Sequence, residues 1–195
     1  MRLARGSGTW VGAPLLASAL LAVLGSWPLS GAALVLSMAI ALFHRDPERT
    51  PRGEGVVSPA DGRVMEASPG RLAIFMNHHN VHVNRSPLAG RVERVEHSDG
   101  PHRPAFLRSS SENERNLIVI DTPAGEVRLT QITGVLVRRI VCYVRPGDLV
   151  ERGERVGMIR FGSRVELSIP SGYRLLVAEG ERVRAGETVV AVRER

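Results

Sequence analysis

Hydropathy divides the chain near residue 45. Positions 10 to 43 carry no charged residue, a run of 34. One helix over that run would reach about 51 Å at ~1.5 Å per residue, well beyond a ~30 Å hydrocarbon core. The turn-forming cluster Gly25-Ser26-Trp27-Pro28 interrupts it. The pattern therefore predicts two apolar helices, roughly 10–24 and 29–43, each a little short of the ~20 residues of a comfortable span. Neither shows the polar stripe of a helix packed on a soluble core. A cleaved signal peptide would end after one such arm, whereas this run continues into a second. Residues 1–45 are expected to form a membrane-associated hairpin, with spanning and shallow insertion both left open. Arg2 and Arg5 before it, and His44 and Arg45 after it, favour both ends on the cytoplasmic face of the cell membrane.

Beyond position 51 the pattern changes to short β-branched runs cut by glycine and proline. Runs at 72–76, 81–84, 116–121, 127–133, 136–144 and 173–178 predict a mainly β, mostly antiparallel domain over 46–195. The pattern G-[DE]-x-V-x-x-G-E-x-V occurs at 147–156 and again, without gaps, at 180–189. A weaker repeat sets Ser58-Pro59-Ala60-Asp61-Gly62-Arg63-Val64 over Ser86-Pro87-Leu88-Ala89-Gly90-Arg91-Val92. The first repeat resembles the duplicated hairpins of lipoyl/biotinyl-type barrel-sandwich folds, which the expected fold class follows.

Composition removes several functions. All 26 basic residues are arginine, so no lysine exists to carry pyridoxal phosphate, lipoate or biotin, or to serve a Walker motif. The single cysteine, Cys142, excludes an intramolecular disulfide framework and a multi-thiolate zinc site. A net charge of +6 raises nucleic acid as a partner. Scarce aromatics and scattered arginines argue against it, and anionic lipid is at least as natural a partner.

Gly162-Ser163 interrupts a well-patterned stretch between 156–161 and 165–170, where glycine marks a close or strained approach. Strain at a Gly-Ser peptide is what an N→O acyl shift requires: Ser163 Oγ attacks the Gly162 carbonyl. Elimination from the ester and hydrolysis then leave a pyruvoyl group, a ketone able to hold an amine as a Schiff base and accept electrons. A plain turn at the same dipeptide remains open.

The chain resembles the short, archaeal-type form of the phosphatidylserine decarboxylase family. The resemblance rests on Phe43-His44-Arg45-Asp46-Pro47-Glu48-Arg49, Val57-Ser58-Pro59-Ala60-Asp61-Gly62-Arg63-Val64, Asn80-Val81-His82-Val83-Asn84-Arg85-Ser86-Pro87-Leu88-Ala89-Gly90 and Phe161-Gly162-Ser163-Arg164-Val165-Glu166-Leu167, in that order. It implies a proenzyme split at Gly162–Ser163 into chains 1–162 and 163–195, which stay together as a heterodimer, with a higher oligomer left open. Ser163 would become the pyruvoyl cofactor, and phosphatidylserine in the membrane would lose carbon dioxide to give phosphatidylethanolamine. Asp61 stands where long-form relatives carry the aspartate of a Ser-His-Asp set. His82 stands at the first histidine of their D-x-H-x-x-H stretch, in which this chain has Asn80 and Arg85 instead of the acid and the second histidine. The expected catalytic residues are thus Ser163, His82 and Asp61, with Arg85, Arg63 and Arg164 as candidate phosphate or carboxylate ligands.

Two rivals remain. His78, His79 and His82 offer a metal hydrolase its ligands, although a strand there would point His79 and His82 to opposite sides and no H-E-x-x-H motif occurs. No metal is expected. The second rival is a non-catalytic, membrane-tethered barrel-sandwich adaptor. Residues 97–114 read as a polar loop, either a surface connection or a flank of the substrate entrance.

Overall fold

The computed structural model describes residues 2–101, 104, 112–134, 139–160 and 163–194. The chain divides into two compact units, Met1–Glu48 and Arg49–Arg195.

The first unit contains α1 (Gly8–Val23) and α2 (Trp27–Phe43), separated by the turn cluster, with Pro28 in the first turn of α2, where its missing N–H costs nothing. The side chains of this hairpin are arranged with polar groups inside. Ser18 Oγ donates to the Ser30 carbonyl (2.8 Å), Ser30 Oγ returns a bond to the Ser18 carbonyl (2.9 Å), and Ser37 Oγ donates to Val11 O (2.8 Å). Leu16 is 74% exposed and Val23 84%, whereas Ser37 is 3% exposed. A short clasp closes the open end: Ala4 N donates to His44 O (2.8 Å) and Asp46 N to Arg2 O (2.9 Å). Among the described residues no helix is long and apolar enough to cross a membrane.

The second unit is mainly β. Its strands are β1 (Val56–Val57), β2 (Gly62–Ser68), β3 (Arg71–Met76), β4 (Val83–Arg85), β5 (Gly90–Ser98), β6 (Arg115–Thr122), β7 (Gly125–Ile132), β8 (Arg139–Cys142), β9 (Leu149–Val150), β10 (Arg155–Arg160), β11 (Ser163–Ser168), β12 (Tyr173–Leu175), β13 (Arg182–Val183) and β14 (Val189–Arg193). Eight form an antiparallel sheet in the order β13-β2-β3-β11-β7-β6-β5-β9; two three-stranded sheets, β1-β14-β12 and β4-β10-β8, complete the unit. Alternate residues of the central strands, among them Leu72, Ile74, Ile118, Ile120, Leu129, Val165 and Leu167, make the core together with Val150, Val183 and Val190 from the repeats.

Both repeats of the sequence belong to one internal duplication. The segment β1–β2 pairs with β13 and β14, and β4–β5 pairs in the same way with β9 and β10. Equivalent backbone bonds recur: Gly186 N to Ser58 O matches Gly153 N to Ser86 O (both 2.8 Å), and Val64 N to Glu181 O (2.9 Å) matches Val92 N to Asp148 O (2.8 Å). The shared glycines are required by close approach. A Cβ at Gly62 would lie 2.0 Å from Phe75 O, and one at Gly90 would lie 2.2 Å from Asp121 O.

Two expectations change. The run over 78–82 is not a strand: Asn80 Oδ1 accepts from Asn77 N (2.8 Å) and Asn77 Oδ1 from His78 N (2.7 Å), side-chain bonds that turn the backbone, and β4 begins at Val83. Residues 97 and 98 continue β5, while much of 97–114 lies outside the described residues.

Candidate active site

Ser163 opens β11 directly opposite Met76, the last residue of β3. It is fully buried, and its Oγ donates to Met76 Sδ (3.4 Å), a weak acceptor that leaves the hydroxyl available for other chemistry. Asn84 Nδ2 reaches the same sulfur (3.6 Å). Behind Asn84 runs a chain of amides: Gln131 Nε2 donates to Asn84 Oδ1 (2.8 Å), and Asn116 Nδ2 donates to Gln131 Oε1 (3.0 Å). Strands β6, β7 and β3 of the large sheet and β4 of a three-stranded sheet each supply one member, so the line crosses between two sheets. Gly162, the other half of the expected cleavage site, lies outside the described residues, as does Phe161.

On either side of that pair, Arg160 and Arg164 are buried. Burial is the main influence lowering both pKa values from the ordinary arginine range. Arg139 adds to the effect at Arg160 against Tyr143, and Arg71 adds at Arg164 against Glu66. Arg164 pairs with Glu166, which also holds Arg71 at 2.9 Å.

His82 is fully buried just before β4, and its Nδ1 lies 2.9 Å from Asn80 O. A carbonyl only accepts, so Nδ1 carries the proton and Nε2 is the basic nitrogen. The other end of the same peptide group, Val81 N, donates to Asp61 Oδ2 (3.4 Å). Asp61 and His82 thus meet through one peptide instead of directly. Asp61 is anchored further by Ala185 N (2.8 Å) and by a forked ion pair with Arg49, whose second nitrogen contacts Oδ2 at 2.9 Å. The carboxylate therefore ties the start of the β unit, the turn before His82 and the second repeat to one point.

The candidate arginines occupy different settings. Arg85 is buried, with Nη1 on Gly153 O (2.9 Å), and Arg164 is held as described above. Arg63 is exposed and lines a cavity of about 450 Å³ that also includes Asp61 and Asn80. His78 and His79 meet edge to face, ring centroids 5.4 Å apart, in the turn. Among the described residues no three His, Cys, Asp or Glu side chains converge on a metal position.

Sequence reasoning missed Arg49, Met76, Asn84 and Gln131. Arg49 and Asn84 stood inside the quoted motifs without a role, and Met76 reads as an ordinary core residue. Nothing local to Gln131 announces that it reaches Asn84.

Comparison with known proteins finds matches over most of the chain. A family model described as phosphatidylserine decarboxylase matches residues 36–191. A proenzyme of Methanococcoides burtonii, named for archaetidylserine decarboxylation, is 46% identical over 97% of this chain and 95% of its own. The phosphatidylserine decarboxylase proenzymes of Thermobifida fusca and Streptomyces coelicolor are each 46% identical, over 96% of this chain and 91% of their own.

Proposed function

The chain belongs to the phosphatidylserine decarboxylase family, lyases that form phosphatidylethanolamine from phosphatidylserine, and on that premise we propose that it is a self-processing, pyruvoyl-dependent decarboxylase of a serine phospholipid. Its relatives are named for two lipids that end in the same serine. Phosphatidylserine is the substrate we assign.

The observation that carries this reading is the setting of Ser163: solvent-free, at the edge of a strand, its hydroxyl on a thioether. A nucleophile so placed pays little to leave its hydrogen bond. Ser163 Oγ adds to the Gly162 carbonyl carbon, the peptide nitrogen departs, and an ester links residue 162 to the serine side chain. Elimination frees the carboxylate of the 1–162 chain and leaves dehydroalanine; water then yields the ketone and releases ammonia. The residues fit a neutral ketone at this point, since among the described residues no charged group hydrogen-bonds Ser163 and Asn84 offers an amide donor beside it. A pyruvoyl group at position 163, held beside Met76 and Asn84, would supply a carbonyl for the substrate amine and a sink for the electrons released with carbon dioxide.

His82 Nε2 receives the Ser163 proton during processing and returns a proton to substrate carbon during turnover. Asp61 keeps the Asn80–Val81 peptide oriented, so that its carbonyl holds His82 in the tautomer whose Nε2 is the proton-accepting nitrogen. The water-free surroundings favour loss of the substrate's carboxylate charge. The duplicated hairpins form the two halves of a barrel sandwich. The apolar hairpin of the first unit inserts into the cytoplasmic leaflet, which its exposed leucines support. The two product chains remain together through β11, whose neighbours β3 and β7 belong to the larger chain.

Intact-mass spectrometry tests the reading. Two chains are expected, the smaller beginning at 163 with a carbonyl in place of an amine. Ser163→Ala should abolish both splitting and carbon dioxide release, and His82→Ala should slow turnover by about 10²–10⁴-fold. An active preparation consisting of one unbroken chain would overturn it.

A further inference from the structure

The internal duplication contains its own control. In the first half, Arg63 of β2 and Arg182 of β13 are directly opposed. The equivalent positions of the second half are Arg91 of β5 and Leu149 of β9, opposed in the same register. Like charges placed opposite one another destabilise a strand pair, and the second half shows that leucine serves the architecture equally well. The contrast extends two residues further, where Arg184 in the first half corresponds to Glu151 in the second.

The guanidinium partners differ too. Arg91 Nη1 donates to Gly147 O (3.1 Å). Neither Arg63 nor Arg182 has a side-chain hydrogen bond or ion pair among the described residues. Both open onto the same cavity, joined there by Arg184, whose guanidinium is 3.7 Å from Glu187. Among the described residues Asp61 is the one acid in the cavity wall, and Arg49 and two backbone N–H groups already occupy its oxygens. The positive charge of Arg63 and Arg182, unneeded for folding and unpaired among the described residues, marks a place for an anion.

We propose that Arg63, Arg182 and Arg184 form a phosphate-binding site that holds the phosphodiester of the lipid headgroup. This inference rests on the function proposed above and names the group by which that substrate is held. Forked guanidinium donors suit phosphate oxygens, and a phosphodiester between the opposed arginines converts their repulsion into two charge-assisted contacts. The cavity is lined by Asn80, whose carbonyl holds His82, and by Phe75 and Asn77, which flank the Met76 that faces Ser163. In a serine phospholipid only an ester oxygen and a methylene separate phosphorus from the amine-bearing carbon, so a phosphate held here keeps the amine and carboxylate close to Ser163. Arg85 and Arg164, by contrast, are committed inside the protein.

The experiment uses the full-length enzyme and installs the residues that the second half already tolerates: Arg182→Leu with Arg184→Glu. Chain splitting should proceed, while KM for short-chain phosphatidylserine rises about tenfold or more, one charge-assisted bond being equivalent to at least that factor. Glycerophosphoserine should lose potency as a competitive inhibitor by a similar factor. An unchanged KM and unchanged inhibition would overturn the proposal. If only inhibition by inorganic phosphate weakens while KM holds, the pocket belongs to free phosphate and the headgroup assignment falls. Should the double variant fail to fold, Arg182→Leu alone decides in the same way. Splitting and decarboxylation by the parent enzyme report on the catalytic reading separately, so a failure there is distinguishable from a failure here.

Discussion

The two units bury opposite kinds of side chain. In the helical hairpin the enclosed residues include Ser18 and Ser37, and the leucines face outward; in the β unit valine, isoleucine and leucine fill the centre. Water expulsion explains the second arrangement and not the first. A hairpin that turns its leucines outward gains little from association in water. Its helices are joined by serine–carbonyl bonds, the kind of contact that holds helices together where the surroundings are as apolar as the helices themselves. Buried polar groups occur in the β unit as well, but there they form a line from Asn116 to Met76 that ends at Ser163. In one unit such groups fasten elements; in the other they also lead to the serine we propose as the nucleophile.

The largest effect that tests this contrast comes from deleting apolar side chains. Ile120→Ala, at a fully buried position of β6, should cost about 2–5 kcal/mol of stability. Leu16→Ala, on the exposed face of α1, should change stability by less than about 0.5 kcal/mol while weakening partition into lipid vesicles. The chromophores separate the readouts: Trp10 and Trp27 lie in the hairpin and Tyr143 and Tyr173 in the β unit, so tryptophan emission follows one and tyrosine ellipticity the other. Equal losses at the two sites would break the contrast.

A smaller effect is expected in the amide line. Gln131→Leu leaves Asn84 Oδ1 and Asn116 Nδ2 without their partner, at about 1–3 kcal/mol. It should also slow splitting of the chain at 162–163, followed by mass spectrometry. Adding Asn84→Leu removes one of the stranded groups and should recover part of the stability, yet processing should stay slow. If processing recovers in step with stability, the line only packs the interior and has no bearing on Ser163.

Much of this organisation is legible in the sequence. The hairpin follows from an uninterrupted absence of charge, and the duplication from glycine–acid spacing that the close approaches at Gly62 and Gly90 make obligatory. The motifs single out Ser163, His82 and Asp61 as candidates, and their roles rest on the proposed function. What could not be read depends on distant pairing. Asp61 addresses His82 through a peptide whose orientation depends on the turn at Asn77 and Asn80. Asn84 meets Gln131 only because β4 and β7 come together across 47 residues of chain. The excess charge at Arg63 and Arg182 becomes visible once register places them opposite one another; in the sequence they are two arginines among many.

The smallest effect tests the hairpin's own fastening. Ser18 gives and receives a bond at Ser30, so Ser18→Ala removes the donated bond (2.8 Å) and leaves the bond that Ser18 O accepts (2.9 Å). Interhelical bonds of this type contribute about 0.6 kcal/mol on average inside membranes, because the separated helices find other partners for the same groups. Ser18→Ala should therefore lower hairpin stability in detergent micelles by about that amount, read from the tryptophan transition, and leave the tyrosine transition of the β unit where it was. Ser18→Leu should do more, since a bulky group at a 7% exposed position must push the helices apart. A Ser18→Leu hairpin more stable than its parent would mean that the helices associate by apolar packing after all, and the distinction between the two units would collapse to one of shape.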